Sequence, residues 1–174
     1  MVCALAVALT VVVSGFPGRL SEVQGRTRPN VGSGFSRTQE QSPWFGTWQQ
    51  IPPSRKWFNP WPYQKVTLRI EASDDGLVRV VYDLVKRRGG IQHMEWSGRF
   101  DGKDYPMQGV DYVLTNAYRK LSDRSYEIVV RVDGRDAAVA TAVVSSDGRT
   151  LNVDTKEQDT KGRTVTTTAR YQRR

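Results

Sequence analysis

The chain has 174 residues, of which 38% are hydrophobic and 25% charged, enough apolar material for one packed domain and too little charge for a disordered one. Lys and Arg exceed Asp and Glu by 26 to 18, a net charge of +8, which favours anionic partners such as phospholipid head groups or acidic polymers. The single cysteine, Cys3, excludes a disulfide framework and a thiolate metal site.

Residues 2–13 are almost wholly apolar. They are too few to span a bilayer, which takes about 20 residues, and match the apolar core of a signal peptide. The small residues Ser14, Gly15 and Gly25 offer cleavage points, so residues 1–25 are expected to be removed on export to the periplasm or the medium. Residues 26–42, rich in Arg, Ser, Gly, Thr and Gln, read as a flexible linker. Residues 43–174 form the domain.

A first strand is expected at residues 45–50. From Lys65 onward the period is two: Val66, Leu68 and Ile70 alternate with Thr67, Arg69 and Glu71. The next strand, 77–85, turns Val78, Val80, Tyr82 and Leu84 inward. Over 91–100, Met94, Trp96 and Phe100 share one face, with His93, Glu95 and Arg99 on the other. Further strands follow at 112–121, 126–132, 137–144, 150–156 and 163–171. Asp75-Gly76, Asp101-Gly102, Asp133-Gly134 and Asp147-Gly148 fall between apolar runs and supply the positive φ angles that tight hairpins need. Short turns make neighbouring strands antiparallel. The fold class is therefore all-β, an up-and-down meander of about 8–10 strands closing into a barrel so that no edge stays exposed; a β-sandwich is the alternative.

Gly46-Thr47-Trp48 is a Gly-x-Trp motif on the first strand. With Trp44-Phe45, Ser54-Arg55-Lys56-Trp57-Phe58, Phe100-Asp101-Gly102-Lys103-Asp104-Tyr105-Pro106 and Val144-Ser145-Ser146-Asp147-Gly148-Arg149-Thr150-Leu151, in that order, it resembles a family of uncharacterised bacterial exported proteins with lipocalin-like domains. The resemblance runs from about Pro43 to Tyr171. It implies a lipocalin-like barrel closed at one end by Trp48, with Arg170 or Arg173 from the last strand packed across it, and it implies no settled activity.

Residues 51–63 concentrate Pro52, Pro53, Pro60 and Pro62 with Trp57, Phe58, Trp61 and Tyr63. Proline lowers the entropy cost of ordering a loop, so this stretch is either a lid over a ligand or a plug that fills the barrel end. Tyr82, Met94, Trp96, Phe100 and Tyr126 would line the interior beside Trp57, Phe58 and Trp61, as a wall around a small apolar ligand or as plain core. His93 and Glu95 share a strand face, but no nucleophile motif accompanies them. Asp101, Asp104 and Asp123 do not follow calcium-loop spacing, so no metal and no cofactor is expected. Lys86-Arg87-Arg88 and Arg170, Arg173, Arg174 are basic runs without nucleic-acid-module signatures. No nucleic acid is expected as partner, and weak contact with anionic envelope polymers is. A monomer with no membrane-spanning segment in its mature form is expected, more readily a binding protein than an enzyme. The open readings are a carrier of a small hydrophobic or lipid-like molecule, a filled barrel with a structural or interaction role in the envelope, and a cavity-based isomerase or hydrolase drawing on Tyr82, Tyr126, His93 or Glu95.

Overall fold

A computed structural model describes residues 42–53, 62–73, 75–159 and 161–174. The leader and nearly all of the linker, and Trp57, Phe58 and Trp61 of the Pro/aromatic stretch, lie outside the described residues. Ten antiparallel strands close into an up-and-down barrel: β1 (Gly46–Ile51), β2 (Tyr63–Ala72), β3 (Val78–Lys86), β4 (Ile91–Gly98), β5 (Asp101–Gln108), β6 (Leu114–Ser122), β7 (Ser125–Val132), β8 (Arg135–Val144), β9 (Thr150–Gln158) and β10 (Thr164–Arg173). Each strand pairs with its sequence neighbours, and β1 closes the ring on β10 through Trp48 opposite Arg173 and Gln50 opposite Tyr171. Closure leaves no strand at a free edge, the barrel's answer to edge-to-edge association, although the β4–β5 seam is short, with Glu95 opposite Gln108 and Trp96 opposite Met107.

Alternation sets the two faces as the period-two pattern requires. Val66, Leu68 and Ile70, Val80, Tyr82 and Leu84, Met94 and Trp96, Tyr126, Ile128 and Val130, and Leu151 and Val153 are buried in one continuous core. On the outside, Arg79 bridges Glu71 at 3.0 Å and Glu95 at 2.6 Å, and Arg119 holds Glu127 at 2.8 Å. Charge outside and apolar side chains inside is the reverse of a transmembrane barrel, whose lipid-facing band is apolar.

The hairpins follow their turn residues. At Asp133-Gly134 both residues have positive φ, 50° and 74°, the pairing that a two-residue type I′ hairpin demands. Asp101-Gly102 departs from expectation. It is not the turn between two strands but the opening of β5, a strand absent from the sequence reading. The chain reverses at Arg99–Phe100 instead. Gly102, with φ 78°, then makes an irregularity in the pairing with β6 between Asp101 and Asp104. Asp101 accepts the Lys103 amide at 3.1 Å and the Tyr105 hydroxyl at 3.1 Å, which holds this bulge.

Candidate functional site

Three regions carry the chemistry of this barrel: its lumen, the end closed by Trp48, and the opposite end. Topology fixes the ends. The start of β1, the connections β2–β3, β4–β5, β6–β7 and β8–β9 and the end of β10 share one end. The connections β1–β2, β3–β4, β5–β6, β7–β8 and β9–β10 share the other.

Aromatic rings cluster in the described lumen. Trp96 lies 4.4 Å from Tyr118, centroid to centroid, and its Nε1 donates to the Asn116 carbonyl at 3.1 Å. The Tyr82 and Tyr118 hydroxyls face each other at 3.4 Å. Burial pushes the Tyr82, Tyr118 and Tyr171 hydroxyls above the ordinary tyrosine range, so all three keep their protons at neutral pH. Between these rings, Trp44, Leu68, Val80, Ile128 and Val153 remains a void of about 20 Å³. That is room for one water and far below the several hundred Å³ of a small-molecule site.

The sequence-predicted lining residues thus separate. Tyr82 borders the void. Met94 and Trp96 are fully packed core. Phe100 and Tyr126 lie toward the Trp48 end, where Phe100 meets Tyr126 at 4.3 Å and Tyr126 meets the edge of Trp44 at 4.6 Å. That is the end opposite the one from which the β1–β2 connection leaves. Trp44, Tyr118 and Tyr171 complete the lumen. Their inward parity beside Ala169 and Leu114 was the sequence signal that would have identified Tyr118 and Tyr171.

The Trp48 end is clasped by Arg173. Its guanidinium carbon lies 4.3 Å above the Trp48 ring, Nε donates to the Gly148 carbonyl at 2.6 Å, Nη1 to the Phe45 carbonyl at 2.6 Å, and Nη2 to the Pro43 carbonyl. Trp48 Nε1 donates to the Trp44 carbonyl at 3.0 Å. Gly46 is required beside this clasp, since a Cβ there would stand 2.7 Å from Arg173 Nη1. Of the two arginines considered from sequence, Arg173 takes the part and Arg170 does not. Arg170 lies one residue from inward Ala169 and Tyr171, so it points outward and is exposed.

At the opposite end the β9–β10 wall turns polar. Thr155 and Thr167 are opposite each other across the two strands, and their buried hydroxyls have no hydrogen-bond partner among the described residues. Glu157 follows on the same luminal face of β9, opposite Val165, and burial raises its carboxyl pKa above the ordinary value. On the rim beyond, the β3–β4 turn projects Lys86, Arg87 and Arg88, all exposed. Exposed Ile91 follows the turn, and exposed Val113 stands on the β5–β6 connection.

The residues weighed for acid–base work do not converge. His93 Nδ1 contacts Asp83 at 2.7 Å and Glu95 is bound to Arg79, both on the outer face of the wall that Tyr82 lines from within. Asp104 is held by Arg131 and Asp123 by Lys120 at 2.7 Å, so each serves an ion pair of its own.

Comparison with known proteins finds no family model, no curated protein and no solved structure that matches the chain. The fold stands on its strand pairing.

Proposed function

We propose that this protein is an exported, non-catalytic, filled barrel that serves the cell envelope as an interaction module, working through its outer surface. One observation carries the reading: the described lumen is packed with Trp and Tyr rings around a void of about 20 Å³. A carrier in the lipocalin manner needs a hollow lined by apolar side chains, and the close packing of Tyr82, Tyr118, Tyr171 and Trp44 around this small void supports the filled reading over it. Kinship with lipocalin-like barrels belongs to the same proposal, and is supported by the Gly46–Trp48–Arg173 clasp at one end. Export is supported by the apolar run at residues 2–13.

Native mass spectrometry of the chain purified from its own host, with lipid extraction alongside, tests the reading. The expected spectrum is the bare polypeptide mass. A stoichiometric apolar adduct that is released on unfolding and lost with Trp57→Ala/Trp61→Ala would replace the filled barrel by a carrier whose site lies beneath the 51–63 connection.

A further inference from the structure

We propose that the end of the barrel carrying the β3–β4 turn docks on the surface of an anionic phospholipid bilayer; this deepens the surface role proposed above and rests on it. Lys86, Arg87 and Arg88 stand side by side on a turn whose shape is fixed from within. The Lys86 amide donates to the Gly90 carbonyl at 3.0 Å and the Gly89 amide to the Lys86 carbonyl at 3.2 Å, while Gly89 and Gly90 take φ of 93° and 89°. The Arg87 amide donates to the Pro62 carbonyl at 2.9 Å, tying the turn to the end of the β1–β2 connection. Among the described residues neither the Lys86 ammonium nor the Arg88 guanidinium has a carboxylate partner. Elsewhere on the barrel arginines are spent on ion pairs, Arg79, Arg119, Arg131 and Arg163 among them. The unpaired charge at this tip is therefore free to meet an anionic surface.

Apolar exposure at the same end selects the kind of surface. Ile91 is 71% exposed immediately after the turn, and Val113 is 63% exposed on the neighbouring β5–β6 connection. A polyanion such as nucleic acid or an acidic glycan rewards the cations alone. The interface of a bilayer rewards both, since apolar side chains enter the head-group boundary while Lys and Arg meet the phosphates. Asp111 and Asp133 lie on the adjoining connections and weaken the local field without reversing it, because Asp136 and Asp159 at this end are already bound to Arg131 and Arg163.

Sedimentation of the full-length chain with large vesicles, phosphatidylcholine alone or mixed with phosphatidylglycerol, reads the docking. The apolar run at residues 2–13 contributes equally to every variant, so comparison among variants isolates the turn. Lys86→Gln/Arg88→Gln is expected to lower partition onto the anionic vesicles about thirtyfold, from about fivefold per surface cation. Ile91→Ser is expected to lower it about fivefold through lost apolar burial. Arg99→Gln/Arg149→Gln, which removes the same charge from the exposed β4–β5 and β8–β9 connections at the opposite end, is expected to change it less than about threefold. Melting temperatures close to the parent's confirm that each variant is folded. Equal losses from the two charge pairs would overturn the proposal, as general attraction without a docking face. So would binding to heparin that follows Lys86 and Arg88 while Ile91→Ser changes nothing on vesicles, since that describes a polyanion site. Either failure leaves the filled-barrel reading intact, because that is decided by the native mass.

Discussion

Replacing Arg173 by Met removes the clasp at the Trp48 end while keeping an apolar stem against the indole. The guanidinium donates to three backbone carbonyls, those of Gly148, Phe45 and Pro43, and lies over the Trp48 ring. A hydrogen bond from a charged donor contributes about 1.5–3 kcal/mol, and a cation over an aromatic face about 0.5–2 kcal/mol. The site is only partly buried, so the low end of each range applies. Arginine also gives up about 2 kcal/mol of rotamer freedom, part of which the methionine, no longer held by hydrogen bonds, recovers. The net loss is expected to be about 2–4 kcal/mol, a large share of a typical stability of about 5–15 kcal/mol. For a domain of this size that lowers the melting temperature by about 6–15 °C. Urea unfolding followed by far-ultraviolet circular dichroism measures it without relying on the tryptophans. Arg170→Met, one pleat away on the outer face, should stay within about 0.5 kcal/mol. Gly46→Ala in the parent suffers both its φ of 138° and a Cβ 2.7 Å from Nη1; in the Arg173→Met background only the backbone strain remains. The two substitutions should therefore be less than additive. Equal costs for Arg173→Met and Arg170→Met, or strict additivity with Gly46→Ala, would refute the clasp.

Other perturbations test the lumen. Gly98→Ala places a Cβ 2.6 Å from the Trp96 ring and 2.6 Å from Tyr105, so it should cost about 1–3 kcal/mol in the same urea assay although Gly98 has an ordinary φ. Val153→Ile adds one methyl group facing the void and should cost less than about 1 kcal/mol, whereas Ala140→Val, set in packed core, should cost about 1–3 kcal/mol. The folded pKa values of Tyr82, Tyr118 and Tyr171 lie above the unfolded one, so the folded state binds protons more tightly. Their contribution is fully present below about pH 10 and is lost as the pH rises above it. Absorbance at alkaline pH should therefore show these three ionising together with loss of the circular dichroism signal; their ionisation in an intact barrel would contradict the packing. Glu157 has a raised folded pKa by the same burial, so its ionisation opposes folding. Glu157→Gln should raise the melting temperature at pH 7, and the gain should vanish below about pH 4, where the parent carboxyl is protonated in both states.

Strand identity was legible where alternation and turn residues agreed. Val66-Thr67-Leu68-Arg69-Ile70 has one apolar face and one charged face, and no other pairing buries it. β5 escaped for the opposite reason. Asp101, Gly102, Lys103, Asp104 and Pro106 are poor strand formers, and only Met107 is buried along its length. It is a strand because its neighbours supply partners: the β6 ladder, the Arg131–Asp104 pair, and the Trp96 ring against which Tyr105 sets its edge at 5.8 Å. These are tertiary contacts that no local window contains. The choice between Arg170 and Arg173 was within reach of the pattern, since alternation from Ala169 and Tyr171 points Arg173 inward. The role of Phe100 and Tyr126 was not. Both pack in or against the core, but Tyr126 lies after the missed β5, whose omission reverses the direction of every later strand, and the end that Phe100 occupies follows from counting the four strands before it.

Among the described residues, two kinds of wall fit each other across the lumen. β8, β9 and β10 present Ala138, Ala140, Ala142, Thr155 and Ala169 inward, which would leave a ten-strand barrel hollow on that side. The volume is returned by Trp48, Tyr82, Trp96 and Tyr118 from the other strands, by Tyr171, and by Trp44 ahead of β1. A small-molecule cavity of about 300 Å³ or more at the void between Trp44, Tyr82, Tyr118 and Tyr171 would require several of these rings to leave. Removing even one buried aromatic ring from a core costs about 3–5 kcal/mol, and several together approach the whole stability of the fold. A ligand would have to supply that energy before gaining any affinity. Recognition at the outer surface needs no such rearrangement, and the rim of the β3–β4 turn offers exposed Ile91 and Val113 beside Lys86 and Arg88, which have no carboxylate partner among the described residues.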